Sequence, residues 1–193
     1  MQTQLTPPAA EPLTLAEAKL HLRVDADLTD DDTLISALIV AARQQAEHRT
    51  GRALVSQQWR LGLEFFPDDS LELPKPKLIS VESITYLDGD GVRQTISAAD
   101  YEGITDELVG RVVPAYGKTW PSSIRSRPGC VQVSYTCGYG AAADVPQSIK
   151  AWMLLAIGAW YENREALTSG QPVAELPRSF CDGLLDPFYV PGV

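Results

Sequence analysis

Two hydrophobic periods divide this chain. Leu34, Ile35, Leu38, Ile39, Ala42 and Ala46 recur at three- and four-residue steps, the spacing that gathers side chains on one face of an α-helix. From Trp59 the period drops to two: Trp59, Leu61, Leu63 and Phe65 alternate with Arg60, Gly62 and Glu64, which predicts a strand over 58–65. Gly51 stands between the two patterns, where a left-handed C-cap favours a residue without Cβ. Thr29 and Asp30 to Asp32 precede the long helix, where carboxylates complement its free N–H groups and positive end.

The same reasoning extends along the chain. Thr14-Leu15-Ala16-Glu17 fits the S/T-x-x-E capping box of a short helix reaching about Arg23, too short to stand alone and therefore packed on the long one. After the first strand, Phe66 to Ser70 reads as a turn and Leu71 to Leu73 as a short strand whose end Pro74 and Pro76 confine to a sheet edge. Ile79 and Val81 share one parity while Ile84 and Tyr86 share the other, so a bulge or break is expected near Glu82-Ser83. Asp88-Gly89-Asp90-Gly91 is the strongest hairpin signal, returning into Val92 to Ile96. Tyr101 to Ile104, Arg111 to Val113 and Val131 to Tyr135 are further strands. The loop from Gly117 to Gly129, with Trp120-Pro121, is long enough to suggest an interaction surface.

A third helix starts near Asp144-Val145-Pro146, with Asp144 as N-cap, and runs to about Ala166. Its stripe of Ile149, Met153, Ala156, Ile157 and Trp160 leaves Trp152, Leu154, Leu155 and Tyr161 outside, so it is expected to be covered on more than one side, one of them by another subunit. The tail adds an apolar island of Phe180, Leu184, Leu185, Phe188 and Tyr189. Residues 1–13, with three prolines, read as a flexible arm.

Composition narrows the function classes. The 193 residues carry a net charge of −9, which disfavours duplex binding because counterion release needs clustered Lys and Arg. Arg125, Arg127 and Lys118 make the densest basic spot, and it is thin. Cys130, Cys137 and Cys181 form no CxxC and an odd count, which points to a reducing compartment; in a regular strand Cys130 and Cys137 face opposite ways. The longest apolar run, Ala151 to Tyr161, falls short of the roughly 20 residues that span a bilayer, and the N-terminus lacks a signal-peptide pattern. His21 and His48 fall on helices with polar neighbours. There is no P-loop, GxGxxG, GxSxG or HExxH, and Asp88 to Gly91 lacks the spacing of a calcium loop. The chain therefore reads as a non-enzyme without catalytic, cofactor-binding or metal-ligating residues.

The ordered fragments "LTLAEAKLHLRVD", "DDTLISALIVAAR", "TGRAL", "QW", "SITYLDGDG", "WP", "VSYTCGYG" and "VPQSIKAWMLLAIGAWYENRE" resemble the phage head–tail connector (head completion adaptor) family, in its longer subgroup with a β domain inserted between helices. The periods and the resemblance together predict an α+β fold. Its parts are an arm (1–13), an N-terminal helical part (14–51), an inserted antiparallel β domain (52–143), a C-terminal helix (144–167) packed on the first two, and a tail with a short helix (168–193). The resemblance implies a structural virion protein of a tailed phage or prophage that reaches the head–tail junction from the host cytoplasm. It implies a cyclic homo-oligomer matching the portal symmetry, partnered by the portal protein and by the next connector or stopper. DNA would pass through its channel without specific binding, and no membrane or cofactor is involved. A tail-completion or baseplate protein, or a small enzyme without a recognisable motif, is the alternative.

Overall fold

The computed structural model describes residues 1–105, 108–163 and 181–191. They form an α+β chain of two compact units.

The helical unit comprises residues 10–54 together with 141–163 and 181–191. Helix α1 (Leu15–Leu22) opens on the expected capping box: Glu17 N–H donates to Thr14 Oγ1 at 3.2 Å, and Thr14 N–H to Glu17 Oε2 at 2.7 Å. Helix α2 (Asp32–Thr50) ends at Gly51 in the left-handed region, φ 72°. Its buried stripe is Ile35, Ile39, Ala42, Arg43, Ala46 and Thr50, with Leu34 and Leu38 half-buried on the flank. Arg43 tolerates burial because Glu11 and Glu47 answer its charge, at 2.7 and 2.8 Å. Lys19 is also buried; it donates to the carbonyls of Leu28 and Ala26 and ion-pairs with Asp32, tying down the α1–α2 connection.

Helix α3 (Gln147–Glu162) packs against both α1 and α2, burying Ile149, Lys150, Trp152, Met153 and Ile157. Its start differs from the expectation. Asp144 ends a 3-10 turn (Ala142–Asp144) and its carboxylate accepts from Ala141 N–H, while Pro146 takes the N-cap position of α3. Proline fixes φ near the helical value but pushes the residue before it toward extended backbone, and Val145 is extended accordingly. The expected continuation of α3 to Ala166, and Phe180, lie outside the described residues.

The described tail is tied to its own unit. Val190 N–H donates to Thr50 C=O, Arg52 Nε to Phe188 C=O, and Arg49 pairs with Asp182. Leu185 and Val190 are buried, so part of the apolar island is covered within the unit rather than left for a neighbour.

The β unit comprises residues 1–9 and 55–140. A five-stranded antiparallel sheet runs in the order β1 (Gln2–Thr6), β2 (Gln57–Leu63), β8 (Val131–Cys137), β4 (Leu78–Leu87), β5 (Arg93–Thr95). A three-stranded sheet runs β3 (Leu71–Leu73), β7 (Gly110–Pro114), β6 (Tyr101–Ile104). The arm expected over residues 1–13 is thus corrected: Gln2–Thr6 form an edge strand paired to β2. Its signal escapes sequence reading because QTQLT is exposed at every position and carries no buried alternation.

The parity switch in β4 is real, with the β4–β8 register slipping between Val81 and Ser83 and again between Leu78 and Ser80. Ile84, Val131, Val133 and Tyr135 are fully buried. Phe65 lies beyond the end of β2 and is 63% exposed, against the expected inward face. The two sheets approach closely at β7, where a Cβ on Gly110 would stand 2.8 Å from Leu78 Cβ.

Candidate assembly surfaces

Among the described residues the shifted titratable groups are explained by local hydrogen bonds and burial. Hydrogen bonds to Thr14, first from its backbone, hold the Glu17 carboxyl below its ordinary range. Ser80 and then Thr136 do the same for Glu82, and Gln94 with the turn amides for Asp88. Burial pushes the phenols of Tyr101 and Tyr135 up. Each shift has a capping, turn, sheet hydrogen-bond or core explanation, so none of these groups marks a poised acid or base. His21 and His48 are both exposed. Among the described residues no group of three His, Cys, Asp or Glu is arranged to hold a metal ion. The three cysteines are reduced thiols outside any disulfide; Cys130 is buried as fully as Cys137, and its Sγ donates to Glu64 C=O at 2.8 Å. No described helix is long and apolar enough to cross a membrane.

The notable features are surfaces. On α3 the positions Ala151, Leu155 and Ala159, four residues apart, are exposed, with Leu155 at 37%. On α1, Leu20 is 81% exposed, and Leu28 follows in the α1–α2 connection. A helix face that is apolar and uncovered in one chain is a candidate contact.

In the β unit the loop after β7 folds back over the sheet. Trp120 stacks on Phe66, ring centroids 5.0 Å apart and nearly parallel, and Phe66 meets Tyr86 edge-on at 6.0 Å. Between this loop, the β4–β5 hairpin and the 3-10 turn at Ala98–Asp100 lies a cavity of about 310 Å³. Trp120 is among its lining residues, and the indole Nε1 is shielded from solvent without an acceptor. Lys118, from the thin basic spot, is held by Asp100 at 2.9 Å. The Trp120-Pro121 pair was the visible signal for this loop; the contributions of Tyr86 and Thr95 were not legible, because they arrive from a different hairpin.

A sequence profile of the phage gp6-like head–tail connector proteins matches residues 12–87. No curated protein sequence matches the chain. Among solved structures, the chain is similar to a chain from the neck of an empty gene transfer agent particle computed with C6 symmetry, with a TM-score of 0.81 and 25% identity. It is similar to a chain from the virion of a native gene transfer agent particle (TM-score 0.79, 25% identity). A chain from the native particle's neck computed with C12 symmetry shares the fold at 0.77 and 23% identity. Each likeness covers 100% of this chain and 97% of the other. The later fragments, from "WP" onward, lie outside the profile match and inside the structural one. Residues 12–87 match the profile of the phage gp6-like head–tail connectors, and the whole chain shares its fold with chains of the gene transfer agent neck and virion.

Proposed function

We propose that the protein is a structural component of a phage-like head–tail junction, a ring that docks beneath the portal after DNA packaging, extends the channel and offers a surface to the next connector or stopper. The observation that carries this reading is the likeness to chains of the gene transfer agent neck and virion over 100% of this chain and 97% of theirs, combined with the connector profile at residues 12–87. The exposed apolar residues of α1 and α3 support it, since a ring built of side-to-side heterologous contacts covers such faces. The role is read as non-enzymatic: among the described residues the shifted carboxylates serve a helix cap (Glu17), a turn (Asp88) and hydrogen bonds on the sheet (Glu82).

Electron microscopy of the purified protein, alone and mixed with its portal, tests the proposal. Rings of uniform diameter stacked on the portal are expected. A protein that remains single and does not bind the portal at any concentration would overturn it.

A further inference from the structure

Among the described residues the five-stranded sheet ends in two unpaired edges, β1 and β5, and the cavity opens beside the second. Ile96 N–H donates to Ile84 C=O and Asp88 N–H to Val92 C=O, which fixes the hydrogen-bonded pairs of the β4–β5 hairpin at 84/96 and 88/92, with Tyr86/Gln94 between them. Bonded and non-bonded pairs alternate along an antiparallel ladder. Arg93 and Thr95 therefore turn their backbone N–H and C=O groups away from β4, toward the open edge. All three β5 residues are exposed, and Thr95 also lines the cavity with Tyr86, Trp120 and Pro121.

An edge with a pocket beside it is the arrangement that receives an added strand: main-chain hydrogen bonds hold the segment and the pocket takes one side chain. At about 310 Å³ the cavity sits at the bottom of the ligand-pocket range, room for a side chain rather than a cofactor. Asp100 answers the charge of Lys118, so an anion gains little there. Trp120 Nε1 lacks the acceptor that an incoming backbone carbonyl provides.

The other free edge supplies the occupant. Strand β1 is exposed at all five positions and has no charged residue or proline, so it lacks the usual protections of an edge. Its register against β2 skips Leu5, which is 39% exposed and set out of the regular alternation. Four antiparallel pairings separate β1 from β5, so the two edges run in the same direction. They stand about 19 Å apart in one chain, four interstrand spacings, and cannot meet there. A rotation that sets β1 of one copy beside β5 of the next makes a parallel ladder, and repeating it gives a heterologous contact able to close.

We propose that β1 of a second copy of this chain docks as a parallel strand on β5, with Leu5 seated in the cavity against Trp120 and Tyr86. This rests on the ring reading above and names its contact.

The test is the full-length protein carrying Cys181→Ser, Leu5→Cys and Thr95→Cys, oxidised under ring-forming conditions. A ladder of disulfide-linked copies on a non-reducing gel is expected, because the two Cα atoms must come within about 7 Å to bond. Rings that form without this link overturn the contact and leave the ring reading standing. Linked dimers from Leu5→Cys alone indicate a two-fold β1–β1 pairing and also overturn it. A chain that stays monomeric even with the portal overturns both. As a second measurement, Leu5→Asp should leave the melting temperature unchanged and weaken self-association by about tenfold or more, the worth of one buried leucine. Unchanged association with Leu5→Asp would sink the proposal.

Discussion

At the residue scale, the local rules were legible because their partners lie within a few positions. The capping box at Thr14 and Glu17 is spelled out in four consecutive residues and forms as written. The folded Glu17 carboxyl has a depressed pKa, with hydrogen bonding to Thr14 the main cause, so the unfolded chain binds more protons than the folded one in the window between the two values. That contribution is full above the ordinary carboxylate value of 4.5 and is lost as pH falls through the lower folded value. Thermal melts should therefore show Glu17→Gln less stable than the parent at pH 7, with the gap closing as pH falls below 4.5 and through the lower folded value. A gap that persists in acid would assign the loss to packing instead. Close approach between segments distant in sequence leaves no such trace. Gly110 looks like an ordinary strand glycine, yet a Cβ there meets the base of the Leu78 side chain, which has no freedom to swing aside. Chemical denaturation of Gly110→Ala should show a loss of about 1–3 kcal/mol.

At the scale of elements, period and parity were informative wherever one face is buried and the other wet. They located α1, α2, the β4 bulge, the β4–β5 hairpin and the separate strands β6 and β7. They failed at β1, whose two faces are both exposed, and at the start of α3, where proline geometry prevailed over the preference of Asp for an N-cap. They also misjudged the centre of the α2 face. Leu34 and Leu38 match the stripe, but the buried line runs through Ile35 and Ile39 to Arg43 and Thr50, because Glu11 and Glu47 neutralise an arginine that composition alone would place in water. The two leucines and Ile39 thus separate by experiment. Ile39→Asp sets a carboxylate at a position 3% exposed and should cost about 3 kcal/mol or more, enough to unfold the helical unit in circular dichroism melts. Leu38→Asp, at a half-buried position, should cost clearly less. Equal losses would mean the face is centred where the bare sequence suggested.

At the scale of the whole molecule, charge was legible and assembly was not. The spare apolar face of α3 was announced by its period, but unpaired sheet edges and a cavity formed by three separate segments depend on which atoms the fold leaves open, and no period announces them. The charge balance carries over directly. Sixteen Lys and Arg residues face twenty-five Asp and Glu, and the structure already engages several of the cations: Lys19 with Asp32, Arg43 with Glu11 and Glu47, Arg49 with Asp182, Lys118 with Asp100. A cation held by a carboxylate releases no counterion when it meets a phosphate, so it adds nothing to duplex affinity. In the proposed ring, through which DNA would slide, this would be an advantage, because carboxylates along a channel repel the backbone and keep the duplex from sticking. The purified protein should show no measurable duplex binding at about 0.15 M salt, and titrations at lower salt should give a shallow dependence on salt concentration. Tight binding with a steep dependence, the mark of many phosphates neutralised together, would mean that cations converge on one surface in the assembled ring and that the channel grips DNA rather than lets it pass.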